Sequence, residues 1–320
     1  MFEYRTFLNS DIASLLEIWK NQHPDSCWHQ PLSVSLLEQA VLSKTYFRNY
    51  ELFLAFTQEK QPVGFCHLFS QMVEADPAFG TTQGMICNLM VVPPYTEEAT
   101  SGLLEKAGDY LAQKGVTTIQ LGESKECSPY YGGLGGANQA VGFRQAHRTF
   151  VSAVEKSGYL PKKEYVIMDL DIEQFRPPFS RQLVQLRRQF QMVLAELTPA
   201  KNWWHATSQK NHHHWTFQLI DQRQQVHGQA KVCCFDPLGD GGFTRTVMLE
   251  DISITETSRK QGLGRLLLFE FIRFLQEQRL YFELELILEK SNTLAHEFFL
   301  ALGFQKRDER VLFGKKLSSS

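Results

Sequence analysis

The residues best placed to do chemistry lie between Met248 and Gly264. Met248-Leu-Glu-Asp-Ile-Ser-Ile254 reads as a strand, Thr255-Glu-Thr-Ser258 follows, and then come Arg259-Lys260-Gln261-Gly262-Leu263-Gly264 and a mostly apolar run from Arg265 to Leu275. A strand that enters a short basic turn bearing glycines, with a helix opening from the turn, makes a receptacle for a diphosphate. The first N–H groups of a helix have no partner within it and carry partial positive charge, so an anion is stabilised there without a dedicated side chain. Side chains at Gly262 and Gly264 would hold a phosphate away from the backbone. Arg259 and Lys260 add full charges beside it. Strict alternation would put Met248, Glu250, Ile252 and Ile254 on one face of the strand and Asp251 on the other.

The elements that must position this turn follow from periodicity. A helix is expected after Gly262, a clean strand at Phe282–Leu288, a helix over 292–302 that stops at Gly303, and a last strand at Arg310–Lys316. Trp215–Ile220 and Val226–Phe235 read as a hairpin ahead of them. The first half follows the same plan. It has a capped helix at 10–20, strands at Leu52–Phe56, Pro62–Phe69 and Met85–Val92, a helix over 99–114, and a strand at Thr117–Leu121. Ile254 lies 49 residues before Gly303, and Val91 lies 51 before Gly142, as in a duplicated unit. Pro177-Pro178 marks the junction.

Composition narrows the classes. At 320 residues, 43% of them hydrophobic, there is material for two cores. A net charge of −2 gives no attraction to nucleic acid or to anionic membrane. The start Met1-Phe-Glu-Tyr-Arg is not a secretory signal, and no apolar run of about 18 residues is present, so a cytoplasmic location is expected. The cysteines at 27, 66, 87, 127, 233 and 234 form no Cys-x-x-Cys pair and read as small buried thiols. His212-His213-His214 and His205 suggest a polar approach to the strand at 215 rather than a metal site. Trp203 and Trp204 read as core residues.

The stretch 259–264 resembles the acetyl-coenzyme A signature of the GNAT superfamily of N-acetyltransferases: Arg or Gln, two residues, Gly, one residue, Gly or Ala. The strand before it, the helix after it, and the run Asn292-Thr-Leu-Ala to Phe299-Leu-Ala-Leu-Gly303-Phe304 resemble the surroundings of that signature. The resemblance implies an α/β (α+β) fold with a mixed, mostly antiparallel central sheet flanked by helices, here twice in tandem. It implies acetyl-coenzyme A as cosubstrate, held by Ile252, Ser253, Ile254, Arg259, Lys260, Gln261, Gly262, Leu263, Gly264 and Arg265, with Asn292 on the pantetheine arm and Phe299 beside it. Strand N–H groups near Ile252–Ile254 would polarise the thioester carbonyl. Glu250 would be the general base. The family commonly has a tyrosine acid where this chain has Phe299, which cannot donate a proton.

Aligned on the repeat, the first half has Thr96-Glu97-Glu98-Ala99-Thr100-Ser101 opposite the signature. Two carboxylates replace the cations and the glycines are missing. Residues 1–171 are therefore expected to be a degenerate copy, 172–180 a linker, and 181–320 the domain that binds the cofactor. The glycine-rich segment 132–136 is the competing phosphate cradle. The expected function is direct acetyl transfer to an amine, a small molecule bound between the halves, with no metal, by a monomer or homodimer. The alternative is a non-catalytic acyl-coenzyme A binding protein.

Overall fold

The computed structural model describes residues 2–26, 31–71, 80–134, 140–195, 203–209, 212–236 and 245–317. The residues group into two compact units. One comprises Met1–Tyr165, Asn202–Gln209 and Asp308–Ser320, the other Val166–Lys201 and Lys210–Arg307. The segment 172–180 thus lies inside the second unit, while the chain's last stretch packs in the first. Among the described residues, no helix is long and apolar enough to cross a membrane.

The first unit contains β1 (Glu3–Thr6), α1 (Ile12–Lys20), α2 (Val34–Leu37), β2 (Leu52–Phe56), β3 (Pro62–Phe69), β4 (Gln83–Val91), α3 (Thr96–Gln113), β5 (Thr118–Leu121), β6 (Phe143–Arg144) and α4 (Arg148–Lys156). Strands β1 to β4 pair antiparallel in sequence order, and β4 pairs parallel with β5. A long strand, β7 (Leu160–Asp171), ends the half. The second unit holds α5 (Arg181–Gln189) and β8 (Phe190–Leu194). After α6 (Trp203–Ser208), which groups with the first unit, come β9 (His212–Asp221), β10 (Val226–Phe235), β11 (Thr246–Ile254), α7 (Leu263–Gln278), β12 (Glu283–Glu289) and α8 (Thr293–Leu300). The chain closes on β13 (Gln305–Lys316), whose residues 313–316 pair with β5. Strands β8 to β11 are antiparallel neighbours, and β11 to β12 is parallel. Strand pairing within each unit is mixed and mostly antiparallel, as the family resemblance implies.

The two units repeat one another to the residue. The parallel ladder runs from Gln83↔Thr118 to Ile86↔Leu121 in the first and from Thr246↔Glu283 to Leu249↔Leu286 in the second. Gly64 faces Val91 as Gly228 faces Ile254. Glycine is required at both: a Cβ at 64 would sit 2.8 Å from the Met90 carbonyl, and one at 228 would sit 2.4 Å from Ile254 Cδ1. Each central strand also carries one residue too many. Pairing jumps past Cys87 on β4 and past Glu250 on β11. These are β-bulges, invisible to a period-two reading.

Helix α7 covers one face of its sheet. Leu263, Leu266, Leu267, Leu268, Phe271, Ile272 and Leu275 are buried among Phe217, Leu219, Ala230, Val232, Leu249, Leu284 and Leu286. Charges fall on the opposite stripe, at Arg265, Arg273 and Glu277. At about 1.5–3 kcal/mol for each fully buried apolar side chain, this packing fixes where the helix begins. Trp204 is buried in the first unit against Phe69 (5.0 Å) and Tyr46 (4.4 Å), whereas Trp203 is exposed.

Candidate functional site

The basic turn is built from left-handed residues. Gly262 has φ +86° and Lys260 φ +60°, and between them the chain reverses from β11 into α7. Gly262 is needed first for that conformation; a side chain there would also meet Gln182 Nε2 at 3.3 Å and Leu186 Cδ1 at 3.4 Å. Gly264 differs. A Cβ built there would touch Ile254 Cγ1 at 3.7 Å and Phe298 Cζ at 3.8 Å, both ordinary contacts. The protein's own packing does not demand glycine at 264.

Several hydrogen bonds hold the turn. Buried Ser258 donates its N–H to the Thr255 carbonyl at 2.9 Å. Its Oγ lies 2.8 Å from His227 Nδ1, and His227 Nε2 lies 3.2 Å from Asp221 Oδ2. This chain ties the tip of the β9–β10 hairpin to the turn. Hydrogen bonds from backbone N–H groups, with His227, hold the Asp221 carboxyl below its ordinary range. Arg259 folds back to donate through Nε to the Ile254 carbonyl (3.2 Å), and Gln182 donates to the Gln261 carbonyl (3.2 Å). Arg259, Lys260, Gln261 and Arg265 are exposed, and Leu263 is buried as the first core residue of α7.

Past Leu249 the sheet opens. Strand β11 keeps its antiparallel partner as far as Ile254, but its parallel pairing with β12 ends at Leu249. The edge from Glu250 to Ile254 that faces away from β10 is therefore outside the ladder, where backbone donors can serve a ligand. Ile252, Ser253 and Ile254 are half-buried along it. Asn292 caps α8: its Oδ1 accepts from the Ala295 N–H at 3.2 Å. Phe299 is 4% exposed and packs on Phe298 and Phe304, each at 5.1 Å. Of the two phenylalanines, Phe298 is the one beside Gly264.

The bulge corrects the expected faces. Leu249, Ile252 and Ile254 pair with Val232, Ala230 and Gly228 on the α7 side, while Met248 and Asp251 pair with Cys233 and Lys231 on the other. Met248 and Asp251 thus share a face, and Ile252 and Ile254 do not join them. The extra residue inverts the order. Glu250, at the bulge, meets His214 Nδ1 through Oε2 at 3.0 Å. The side chains of both are partly buried, 20% exposed for Glu250 and 28% for His214. Cys233, buried and directly opposite His214 in the ladder, places its sulfur within the same 4.8 Å cluster as the His214 and Glu250 ligand atoms. Burial, then the nearby Glu250 charge, pushes the Cys233 thiol well above its ordinary pKa. The histidines at 212–214 are not an approach to a strand but its beginning, because β10 supplies partners as far as Phe235. His214 and Cys233 therefore escaped a linear reading: only the hairpin register brings them to Glu250. The described cysteines form no disulfide and are all buried.

The corresponding place in the first unit is built differently. Thr96–Ser101 is not a turn but the opening of α3, which starts at Thr96 with Glu97 and Glu98 in its first turn. Those carboxylates sit where a helix start favours negative charge. Glu97 also pairs with Lys156. Cys87 stands where Glu250 stands in the second unit. Gly132, Gly133 and Leu134 form a turn, and residues 135 and 136 of the competing glycine segment lie outside the described residues.

Residues 167–304 match the acetyltransferase (GNAT) family. A search of curated protein sequences finds no match. Among solved structures, the chain resembles the GCN5-related glucosamine N-acetyltransferase region of a fungal multi-domain beta-N-acetylglucosaminidase (TM-score 0.67, 14% identity); 98% of this chain and 38% of that larger one are covered. It also resembles a tandem GNAT protein from the clavulanic acid biosynthesis pathway (TM-score 0.62, 12% identity, 100% of both chains). A GCN5-related N-acetyltransferase from Sphaerobacter thermophilus has TM-score 0.64 at 10% identity, covering 100% of this chain and 96% of that one. At such identities the likeness is one of fold.

Proposed function

We propose that the second unit, within which most of the match of residues 167–304 to the acetyltransferase (GNAT) family falls, binds acetyl-coenzyme A and transfers the acetyl group to an amine. The observation that carries this reading is the junction of β11 and α7. An opened strand edge, a left-handed basic turn and an unhindered Gly264 follow one another there. The diphosphate would meet the N–H groups of Gln261–Arg265 and the charges of Arg259, Lys260 and Arg265. Ile252–Ile254 would run beside the pantetheine arm and polarise the carbonyl. Asn292 would reach the same arm while capping α8, and Phe299 would contribute by backing Phe298.

Glu250 is the proposed general base. The bulge lifts its carboxylate out of the regular ladder, beside the opened edge. No metal is proposed. The acceptor is proposed to be a small amine, since the net charge of −2 offers nothing to a polyanion or a histone-like partner. Direct transfer requires Glu250→Gln to lower kcat about 100-fold or more at unchanged KM for acetyl-coenzyme A, measured on a panel of small amines that includes glucosamine. An unchanged kcat removes Glu250 from the reaction.

The buried Phe299 favours a second reading. With no proton donor at that position, the unit would bind acyl-coenzyme A without turning it over. Binding without thiol release across the amine panel would select it.

A further inference from the structure

The row His214–Cys233–Glu250 crosses three neighbouring strands, β9, β10 and β11. We propose that His214 is a positioning residue for acyl transfer, holding the Glu250 carboxylate in one orientation so that the same group takes the proton of the amine and returns it to the departing sulfur. This rests on the reading of Glu250 as the base.

The need for such a residue comes from the bulge. A residue in a regular ladder has its side-chain direction set by pairing on both sides, whereas a bulged residue lies outside that constraint. Glu250 is the bulged residue of β11. The contact that orients it is the 3.0 Å approach of His214 Nδ1 to Oε2. Two oppositely directed lone pairs would repel at that distance, so a proton lies between the atoms, and the pairing is that of an imidazole N–H donor with a carboxylate acceptor. Cys233 makes the reach possible. It lies between the two strands, fully buried, and its short side chain lets a ring on β9 meet a carboxylate on β11.

The proton balance closes on this pair. The neutral amine attacks the thioester carbonyl, and the N–C bond forms. The nitrogen then gives one proton to the Glu250 carboxylate, with His214 still donating to Oε2. When the C–S bond breaks, the resulting Glu250 carboxyl gives that proton to the thiolate. Glu250 ends as it began, and amine plus thioester have become amide plus thiol. No separate acid is needed, which answers the presence of Phe299 where a tyrosine is usual.

The test compares His214→Gln, which keeps an N–H donor, with His214→Leu, which does not. Calorimetry of acetyl-coenzyme A binding to each full chain is expected to give an unchanged Kd. The Leu variant is expected to lose 10- to 100-fold in kcat and the Gln variant to recover most of it. Equal losses in both histidine variants, or no loss in either, overturn the positioning role. Loss of acetyl-coenzyme A binding in all variants instead overturns the site itself. Bound zinc in the purified protein that disappears in Cys233→Ala makes the row a metal site and overturns the proposal as well. A measurement independent of turnover is the nitrogen-15 spectrum of the free protein. A protonated His214 Nδ1 that changes in Glu250→Gln is expected, and an unprotonated Nδ1 overturns the proposal.

Discussion

Two glycines separated by one residue do different work, and that difference can be measured. Gly262 serves the backbone, because its φ of +86° is costly for any other residue. Gly264 is proposed to serve the ligand, because only ordinary contacts would surround a side chain there. Gly264→Leu should therefore leave the melting temperature within a few degrees of wild type, helped by leucine's better helix propensity. It should weaken acetyl-coenzyme A binding at least tenfold by calorimetry. A parallel fall in both would mean that Gly264 is structural. Buried His67, in the first unit, gives a residue-scale test of stability. Burial pushes its pKa down to about 3, below the ordinary 6.5. A folded-state pKa below the unfolded one means that the unfolded chain binds the extra proton, so stability falls as pH drops below 6.5. Between pH 7 and pH 5 the loss is about 2 kcal/mol from this group. Urea midpoints at the two pH values should show a smaller drop in His67→Gln than in wild type.

At the scale of elements, the site depends on how the turn after β11 is held. The bonds from Asp221 through His227 to Ser258 tie it to a hairpin otherwise remote in sequence. His227→Phe removes both. Amide exchange across residues 255–262 should then accelerate, and Kd for acetyl-coenzyme A should rise several-fold with helix content unchanged; slow exchange retained in the variant would contradict this tether. Elements are also where sequence reading reaches its limit. The strand at 248–254, the helix after Gly262 and the cap at Asn292 were legible because each rests on local periodicity or a local hydrogen bond. The bulge at Glu250 was not, since one inserted residue leaves no trace in composition and is defined only by the partner strand. The same holds for His214 and Cys233, which meet Glu250 only through pairing between strands. The start of α3 at Thr96 was missed for a related reason: two glutamates read as an acidic turn are also the residues that stabilise a helix start.

For the molecule as a whole, a duplicated unit has diverged at two matched positions. Cys87 replaces the carboxylate of Glu250, and an acidic helix start replaces the basic turn. At about 5 Å and an effective dielectric near 20, each carboxylate disfavours a phosphate by roughly 1–3 kcal/mol, and each cation favours it by a similar amount. The sign of the sum favours the phosphate at the second unit, and the exposure of these groups reduces its size. One cofactor per chain is what we propose on this ground, with the first unit a degenerate copy.

Isothermal titration of the full chain with acetyl-coenzyme A tests this most directly. One equivalent should bind to wild type and to Glu97→Gln. Gly262→Glu, with its melting temperature checked in parallel, should bind at least 100-fold more weakly. Two equivalents in wild type, or full binding retained in Gly262→Glu, would contradict the assignment of the phosphate site to the start of α7.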